Sequence, residues 1–175
     1  MNLAVIGSGG REHAICFKLK QSEKINKLIC IPGNAGTGKI AENIKIDLSN
    51  FDEIYKALKT YSVDIVVIGP EKPLVDGLVD YLNKKKIRVF GPDKFSSQLE
   101  GSKAFMKNLC RKYHIPTANF GVFENFKDAS DFIKMNKLPI VVKADGLASG
   151  KGVFVCRSIN DAENRTKEII IGKFN

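Results

Sequence analysis

A short apolar run, a turn and an amphipathic stretch follow one another repeatedly through residues 1–100, and this recurrence constrains the fold more than any other feature. Leu3-Ala4-Val5-Ile6 leads into Gly7-Ser8-Gly9-Gly10 and a helical pattern from about Arg11. Leu28-Ile29-Cys30-Ile31, Asp64-Ile65-Val66-Val67-Ile68 and Ile87-Arg88-Val89-Phe90 repeat the apolar run. Between them Phe51, Ile54, Tyr55 and Leu58 recur at helical spacing, and Leu74, Val75, Leu78, Val79 and Leu82 mark one further helix face. Strand, helix and strand in this order make βαβ units. Runs that are apolar at every position predict a parallel sheet covered on both faces. The predicted class is α/β, with a Rossmann-like parallel-sheet domain over residues 1–100.

A second region begins near Gly101. Phe105, Met106, Leu109, Cys110 and Tyr113 form a helix stripe that stops before His114-Ile115-Pro116, because the residue before proline is pushed out of helical geometry. A strand is expected around residues 120–123, a helix near 128–136, and a buried strand at Ile140-Val141-Val142 ending in Lys143. A glycine-rich loop separates that strand from Val153-Phe154-Val155-Cys156. A last helix then carries Ile159, Ala162, Thr166, Ile169 and Ile170 on one face.

Composition narrows the class. Apolar residues make up 43% and charged residues 27%, a globular balance that excludes collagen-like, coiled-coil and disordered chains. No apolar run approaches the roughly 20 residues that span a bilayer, and the opening residues lack the basic start of a secretory signal. A soluble, cytoplasmic protein with no membrane partner is expected. Cys16, Cys30, Cys110 and Cys156 form no CxxC pair and are expected reduced and buried; with only His13 and His114 beside them, no metal-site spacing emerges. The net charge of +9 is dispersed, +3 over residues 1–100 and +6 over 101–175. Its one run, Lys84-Lys85-Lys86, falls at an expected helix end, where lysine complements the helix dipole. A nucleic-acid partner is not expected, while phosphate-bearing small molecules would be steered by the same field.

Four loops carry the chemistry. Gly7-Ser8-Gly9-Gly10-Arg11-Glu12-His13 lies between a strand and a helix, but a dinucleotide fingerprint would need glycine where Glu12 stands. Its backbone amides, the helix N-terminus and the Arg11 fork predict an anion site; the alternative is a tight turn only. Residues 32–40 satisfy GxxxxGK, yet Ile40 replaces the Ser or Thr that would hold magnesium, so this is no P-loop. It is either a flexible rim or a substrate contact. Gly69-Pro70-Glu71-Lys72-Pro73-Leu74 again follows a strand, and Glu71 either accepts hydrogen bonds from sugar hydroxyls or an amine, or sits favourably in a helix's first turn. The fourth loop, residues 143–152, pairs small residues with Lys143 and Lys151 and lies between two strands. It predicts a glycine-hinged hairpin flap over a nucleotide, with a phosphate as the partner of a Lys143 held at the end of a buried strand; the alternative is an ordinary turn, which would be long and unusually rich in glycine.

Six motifs in order then resemble the phosphoribosylamine–glycine ligase (glycinamide ribonucleotide synthetase) family of the ATP-grasp superfamily. They are GGREHA at residues 9–14, PGNAGT at 32–37, GPEKPLV at 69–75, FGP at 90–92, QLEGSKAF at 98–105 and KADGLASGKGV at 143–153. The resemblance implies an ATP-dependent ligase of purine biosynthesis that joins glycine to 5-phosphoribosylamine through a glycyl phosphate, with ATP and Mg2+. It implies a substrate-binding (pre-ATP-grasp) domain at residues 1–100, followed by an incomplete ATP-grasp domain at 101–175. Gly9, Gly10, Arg11, Glu12, Asn34, Ala35, Gly36, Glu71, Pro73 and Leu74 would belong to the phosphoribosylamine site. Lys103, Lys143, Gly146, Leu147, Ala148, Ser149, Gly150, Lys151 and Gly152 would belong to the ATP site.

The departure is length. Family members run to more than twice this size, and the resemblance places their magnesium ligands and most of the glycine site in the later part. Of carboxylates beyond Lys143, only Asp145, Asp161, Glu163 and Glu168 are present. No catalytic residue or metal ligand is therefore assigned, and the 175-residue chain alone is expected not to catalyse. A non-catalytic nucleotide- or phosphosugar-binding module and another ATP-grasp ligase are the alternatives. Oligomeric state is not legible.

Overall fold

The computed structural model describes residues 1–147 and 151–173. The chain divides into two units, Met1–Gln98 and Leu99–Asn175. In the first, β1 (Asn2–Gly7), β2 (Lys27–Pro32), β3 (Glu42–Asn43), β4 (Ile65–Ile68) and β5 (Arg88–Phe90) form one parallel sheet in the order β3-β2-β1-β4-β5. This is the Rossmann-like sheet expected from the continuous apolar runs. Side chains alternate across it. Leu3, Val5, Leu28 and Cys30 pack with Cys16 of α1 (Gly10–Lys20). Ala4, Ile6, Ile29, Ile31 and Val66 pack on the other face with Ile54 and Leu58 of α2 (Phe51–Thr60). Leu78, Val79 and Leu82 of α4 (Leu78–Lys84) join that second cluster. Burial on both faces is why these strands read as solid apolar runs.

Local signals set the helix ends. The Asn50 side chain accepts the Glu53 N–H and caps α2. The single face expected across residues 74–82 is split instead into α3 (Glu71–Asp76) and α4, because Gly77 adopts a left-handed conformation with φ 97°. A helix cannot run through that geometry, and glycine is the residue that tolerates it. The lysine run does end a helix: α4 stops at Lys84. After β2 only a 3-10 turn forms, Thr37–Lys39, in keeping with a GxxxxGK segment that opens no P-loop helix.

After a short helix α5 (Gln98–Gly101), the second unit holds α6 (Lys103–Lys112), α7 (Phe126–Met135), β6 (Ile140–Lys143), β7 (Val153–Cys156) and α8 (Ile159–Ile170). Ser102, Asn125 and Ser158 cap α6, α7 and α8 through their side chains. β6 and β7 pair antiparallel, Lys143 opposite Val153. Ile133, Cys156 and Ala162 form a small core with Ile140, Val142 and Phe154.

Two expectations fail here. No strand forms at residues 120–123. Phe120 instead lies under the Arg111 guanidinium, 4.2 Å from its centroid, and the Phe123 ring packs on Phe132 at 5.2 Å. These aromatics pack on side chains from helices, and among the described residues no strand pairs with this segment. Nor is β6 a buried strand. Val141 is 49% exposed and Lys143 is exposed, because a two-stranded hairpin with helices on one side buries alternate residues only. The reasoning that gave Lys143 a phosphate partner from burial therefore has no basis in this structure.

Candidate functional site

The strand order reverses direction between β1 and β4, and ligands in open α/β sheets bind beyond the strands' carboxyl ends at such a point. Gly7 ends β1, Gly69 follows β4, and the Glu12 side chain lies against both. A Cβ on Gly7 would stand 2.6 Å from Glu12 Cγ, and one on Gly69 would overlap the Glu12 carboxylate. Both turns thus need glycine to make room for Glu12. Glu12 is 3% exposed. Its Oε2 accepts the Gly9 N–H at 2.6 Å, whereas Oε1 accepts no hydrogen bond among the described residues and has only Arg11 Nε at 3.9 Å. Arg11 Nη1 lies 2.9 Å from Glu71 Oε1. That hydrogen bond, with help from the Glu71 amide, holds the Glu71 pKa below the usual carboxylate range.

This differs from the anion site expected at the first loop. The Gly9 amide already serves a carboxylate of the protein's own, and the Arg11 fork is already paired. An incoming phosphate would meet two carboxylates, so the arrangement suits hydroxyl or ammonium donors.

The second loop is built around Asn34. Its Oδ1 accepts the Gly36 and Thr37 N–H groups at 2.7 and 2.9 Å, and its Nδ2 donates to the Ser8 carbonyl at 2.8 Å, tying this loop to the first. Thr37 is fully buried; its hydroxyl accepts the Asn34 N–H at 2.7 Å and donates to Asn43 Oδ1 at 2.8 Å. The His13 ring of α1 lies against Gly36. A loop so cross-linked is a preformed wall. Beside it a cleft of about 610 Å³ is lined by Gly33, Asn34, Ala35, Lys39, Asn43 and Lys45, among others. In the third loop Glu71 opens α3, while Pro73 is buried and Leu74 packs against the core, so these two fasten the loop.

In the second unit the Asp145 carboxylate accepts the Ser102 hydroxyl at 3.0 Å and the Ala104 N–H at 3.2 Å, and Lys103 Nζ donates to the Gly146 carbonyl at 2.8 Å. The Ala144 N–H donates to the Gly152 carbonyl at 2.8 Å, closing the hairpin's stem. Leu147 and Lys151 are exposed and Gly152 is buried. Ala148, Ser149 and Gly150 lie outside the described residues. The hairpin shape expected of the flap is present in this stem. All four cysteines are free; Cys16, Cys30 and Cys156 are buried, and Cys110 only partly. The hydrogen bond with Cys30 and burial raise the Cys16 pKa, so that thiol is a core group.

Residues 1–100 match the model described as phosphoribosylglycinamide synthetase, N domain, and residues 101–175 match its ATP-grasp (A) domain. The chain belongs to the phosphoribosylglycinamide synthetase family. A phosphoribosylamine–glycine ligase of Clostridium acetobutylicum is 42% identical over 98% of this chain and 41% of its own length. One from Rhodopirellula baltica is 47% identical over 92% of this chain and 38% of its own. The crystal structure of phosphoribosylamine–glycine ligase from Thermotoga maritima superposes with a TM-score of 0.81 at 34% identity, covering 99% of this chain and 40% of that one. N5-carboxyaminoimidazole ribonucleotide synthetase of the same organism, at 20% identity and TM-score 0.72 over 93% of this chain and 42% of its own, shares the fold. The chain thus spans about two fifths of the length of the curated relatives it matches.

Sequence reasoning did not single out Thr37, Ser102 or Asp145 as site-building residues. Asn-x-Gly-Thr is an Asx-turn pattern and Ser before a helical run is a cap signal, so the first two were findable. Asp145 was not, because its partner helix lies 41 to 43 residues earlier in the chain.

Proposed function

We propose that this chain supplies the phosphoribosylamine-binding loops and part of the ATP site of an enzyme that joins glycine to 5-phosphoribosylamine, giving glycinamide ribonucleotide, ADP and phosphate through a glycyl phosphate. Residues 1–100 act as the substrate-binding domain and residues 101–175 as the beginning of the ATP-grasp domain. The observation that carries the reading is the buried Glu12 carboxylate at the sheet's reversal point, whose Oε1 has no hydrogen-bond donor among the described residues. A buried acceptor left unmatched costs about 1–3 kcal/mol, which a ligand donor relieves. Phosphoribosylamine brings such donors in its amine and ribose hydroxyls. Glu71, beside Arg11, is placed to take another, while Gly9, Gly10, Asn34, Ala35 and Gly36 shape the wall around them.

For ATP, the fit rests on charge and backbone. Lys103, Lys143 and Lys151 are cations near a glycine-rich hairpin, and phosphoryl transfer depends chiefly on positioning and charge neutralisation. Gly146, Leu147, Ala148, Ser149, Gly150 and Gly152 complete that assignment. Among the described residues no group of three or more His, Cys, Asp or Glu side chains stands together as metal ligands. The reading assigns those ligands to the remainder of the full-length protein. It needs no nucleic-acid partner, and its compartment is the cytoplasm, where thiols stay reduced. Among the described residues no helix is long and apolar enough to cross a membrane.

The test is a steady-state assay of the full-length protein with ATP, glycine and phosphoribosylamine. Glycine-dependent ADP release is expected, and Glu12→Gln should raise KM for phosphoribosylamine about tenfold while leaving KM for ATP within about twofold. Absence of glycine-dependent turnover sinks the ligase reading. Equal effects of Glu12→Gln on both KM values sink the role of Glu12.

A further inference from the structure

The sequence names Lys103 and the 143–152 hairpin as separate motifs, yet the structure joins them through a residue to which neither motif assigns a role. Asp145 sits two residues past the end of β6. Its two oxygens accept the Ser102 hydroxyl at 3.0 and 3.2 Å, and Oδ1 also accepts the Ala104 N–H at 3.2 Å. Ser102 in turn caps α6 by accepting the Phe105 N–H at 3.0 Å. The first turn of α6 is therefore satisfied twice, once by its own N-cap and once by a carboxylate from the hairpin. One residue further, the Gly146 carbonyl accepts a hydrogen bond from Lys103 Nζ at 2.8 Å. Gly146 itself has φ 86°, a left-handed conformation that glycine tolerates.

We infer that Asp145 is a positioning residue: it clips the base of the hairpin loop to the N-terminal turn of α6 and thereby sets where the Lys103 ammonium stands relative to the loop. The inference rests on the nucleotide reading of the hairpin proposed above. Three features make the clip a device and not only a cap. The two segments are 43 residues apart in sequence, so the contact joins independent elements. It bonds to the turn that carries Lys103, and Lys103 completes a second bond back to the loop. The Lys103 ammonium has three donors, of which Gly146 uses one, leaving others for a phosphate oxygen without breaking the clip. Burial works to raise the Asp145 pKa, but hydrogen bonds from the Ala104 amide, the Ser102 hydroxyl and the Gly146 and Lys103 amides overcome it, so the group is held below the usual carboxylate range and is charged at neutral pH.

The experiment uses the full-length protein with Asp145→Ala and Asp145→Asn, read by hydrogen exchange of peptides covering residues 102–108 and 140–156 and by steady-state kinetics. Asn keeps an acceptor oxygen toward Ser102 and Ala104, so it separates the clip from gross loss of folding. Asp145→Ala should speed exchange in the first turn of α6 and at the Ala144–Gly152 pair about tenfold, the size of a lost helix cap. It should raise KM for ATP by a similar factor, about tenfold, with kcat within about twofold. Asp145→Asn should stay close to wild type on both readouts. Unchanged exchange and unchanged KM for ATP in Asp145→Ala overturn the inference, as does an equal loss in both variants. The nucleotide reading has its own control: if Mg-ATP leaves the 140–156 peptides of the wild-type protein unprotected, that reading falls and takes the inference with it. Protection in the wild type that persists with an unaltered KM in Asp145→Ala removes the inference alone.

Discussion

The two units of this chain hold their glycine-rich loops by different means. In Met1–Gln98 the loops leave strands packed on both faces; all residues of β1 after Asn2 are buried, as are Leu28 through Ile31 of β2. Those loops are then cross-linked by buried polar groups, Glu12 beneath Gly7 and Gly69, and Thr37 between Asn34 and Asn43. In Leu99–Asn175 the hairpin rests on helices by one face only, and its loop is fastened at the base by Asp145 and Lys103. The first arrangement preorganises a wall. The second fastens its loop at the base, through Asp145 and Lys103.

The largest expected effect tests this contrast in packing directly. Ile31→Ala, at a fully buried position of β2, should cost about 2–5 kcal/mol in urea unfolding of the chain, whereas Val155→Ala, at a position 63% exposed on β7, should change stability by about 0.5 kcal/mol or less. Similar losses at the two sites would mean that the hairpin is as firmly packed as the sheet. Next in size, Gly69→Ala should destabilise by about 1–3 kcal/mol, because its Cβ takes the space of the Glu12 carboxylate. Combined with Glu12→Ala, the cost should fall clearly below the sum of the two single changes. An additive pair would show that Glu12 and Gly69 do not compete for that space.

The smallest effect concerns the exposed Arg11–Glu71 pair. Since the Glu71 pKa is depressed in the folded chain, its contribution is present above the ordinary carboxylate range and disappears as pH falls through the depressed value. Arg11→Ala should therefore lower stability near neutrality by no more than about 1 kcal/mol, Arg11 being 62% and Glu71 38% exposed, and should match wild type in acid. A difference that grew on acidification would reverse the assignment. Either result bears on the contrast, because a weak, exposed pair can be broken by a ligand at small cost, whereas the buried Glu12 cannot be displaced without disturbing two strands' ends.

Much of the first unit was legible because its signals are local. Solid apolar runs, glycine turns and helical spacing over Phe51, Ile54 and Leu58 predict parallel strands and the helices that cover them, and a ligand crevice at strand ends follows from such topology. The split at Gly77 was missed because the apolar spacing continues through it, while the backbone conformation of one glycine does not. The strand expected at residues 120–123 failed for the opposite reason: Phe120 and Phe123 carry strand propensity, but tertiary contacts with Arg111 and Phe132 decided their state.

The class of fold, the positions of the four loops and, through six motifs, the family could be read from residues close together along the chain. Tertiary contacts set how those loops are furnished. They placed a carboxylate where the isolated motif suggested room for an anion, exposed Lys143 where strand pattern suggested burial, and brought Asp145 to Ser102 and Ala104. The physical reason is shared by all three: a side chain's partners are set by which strands and helices become neighbours, and that is written in packing rather than in spacing.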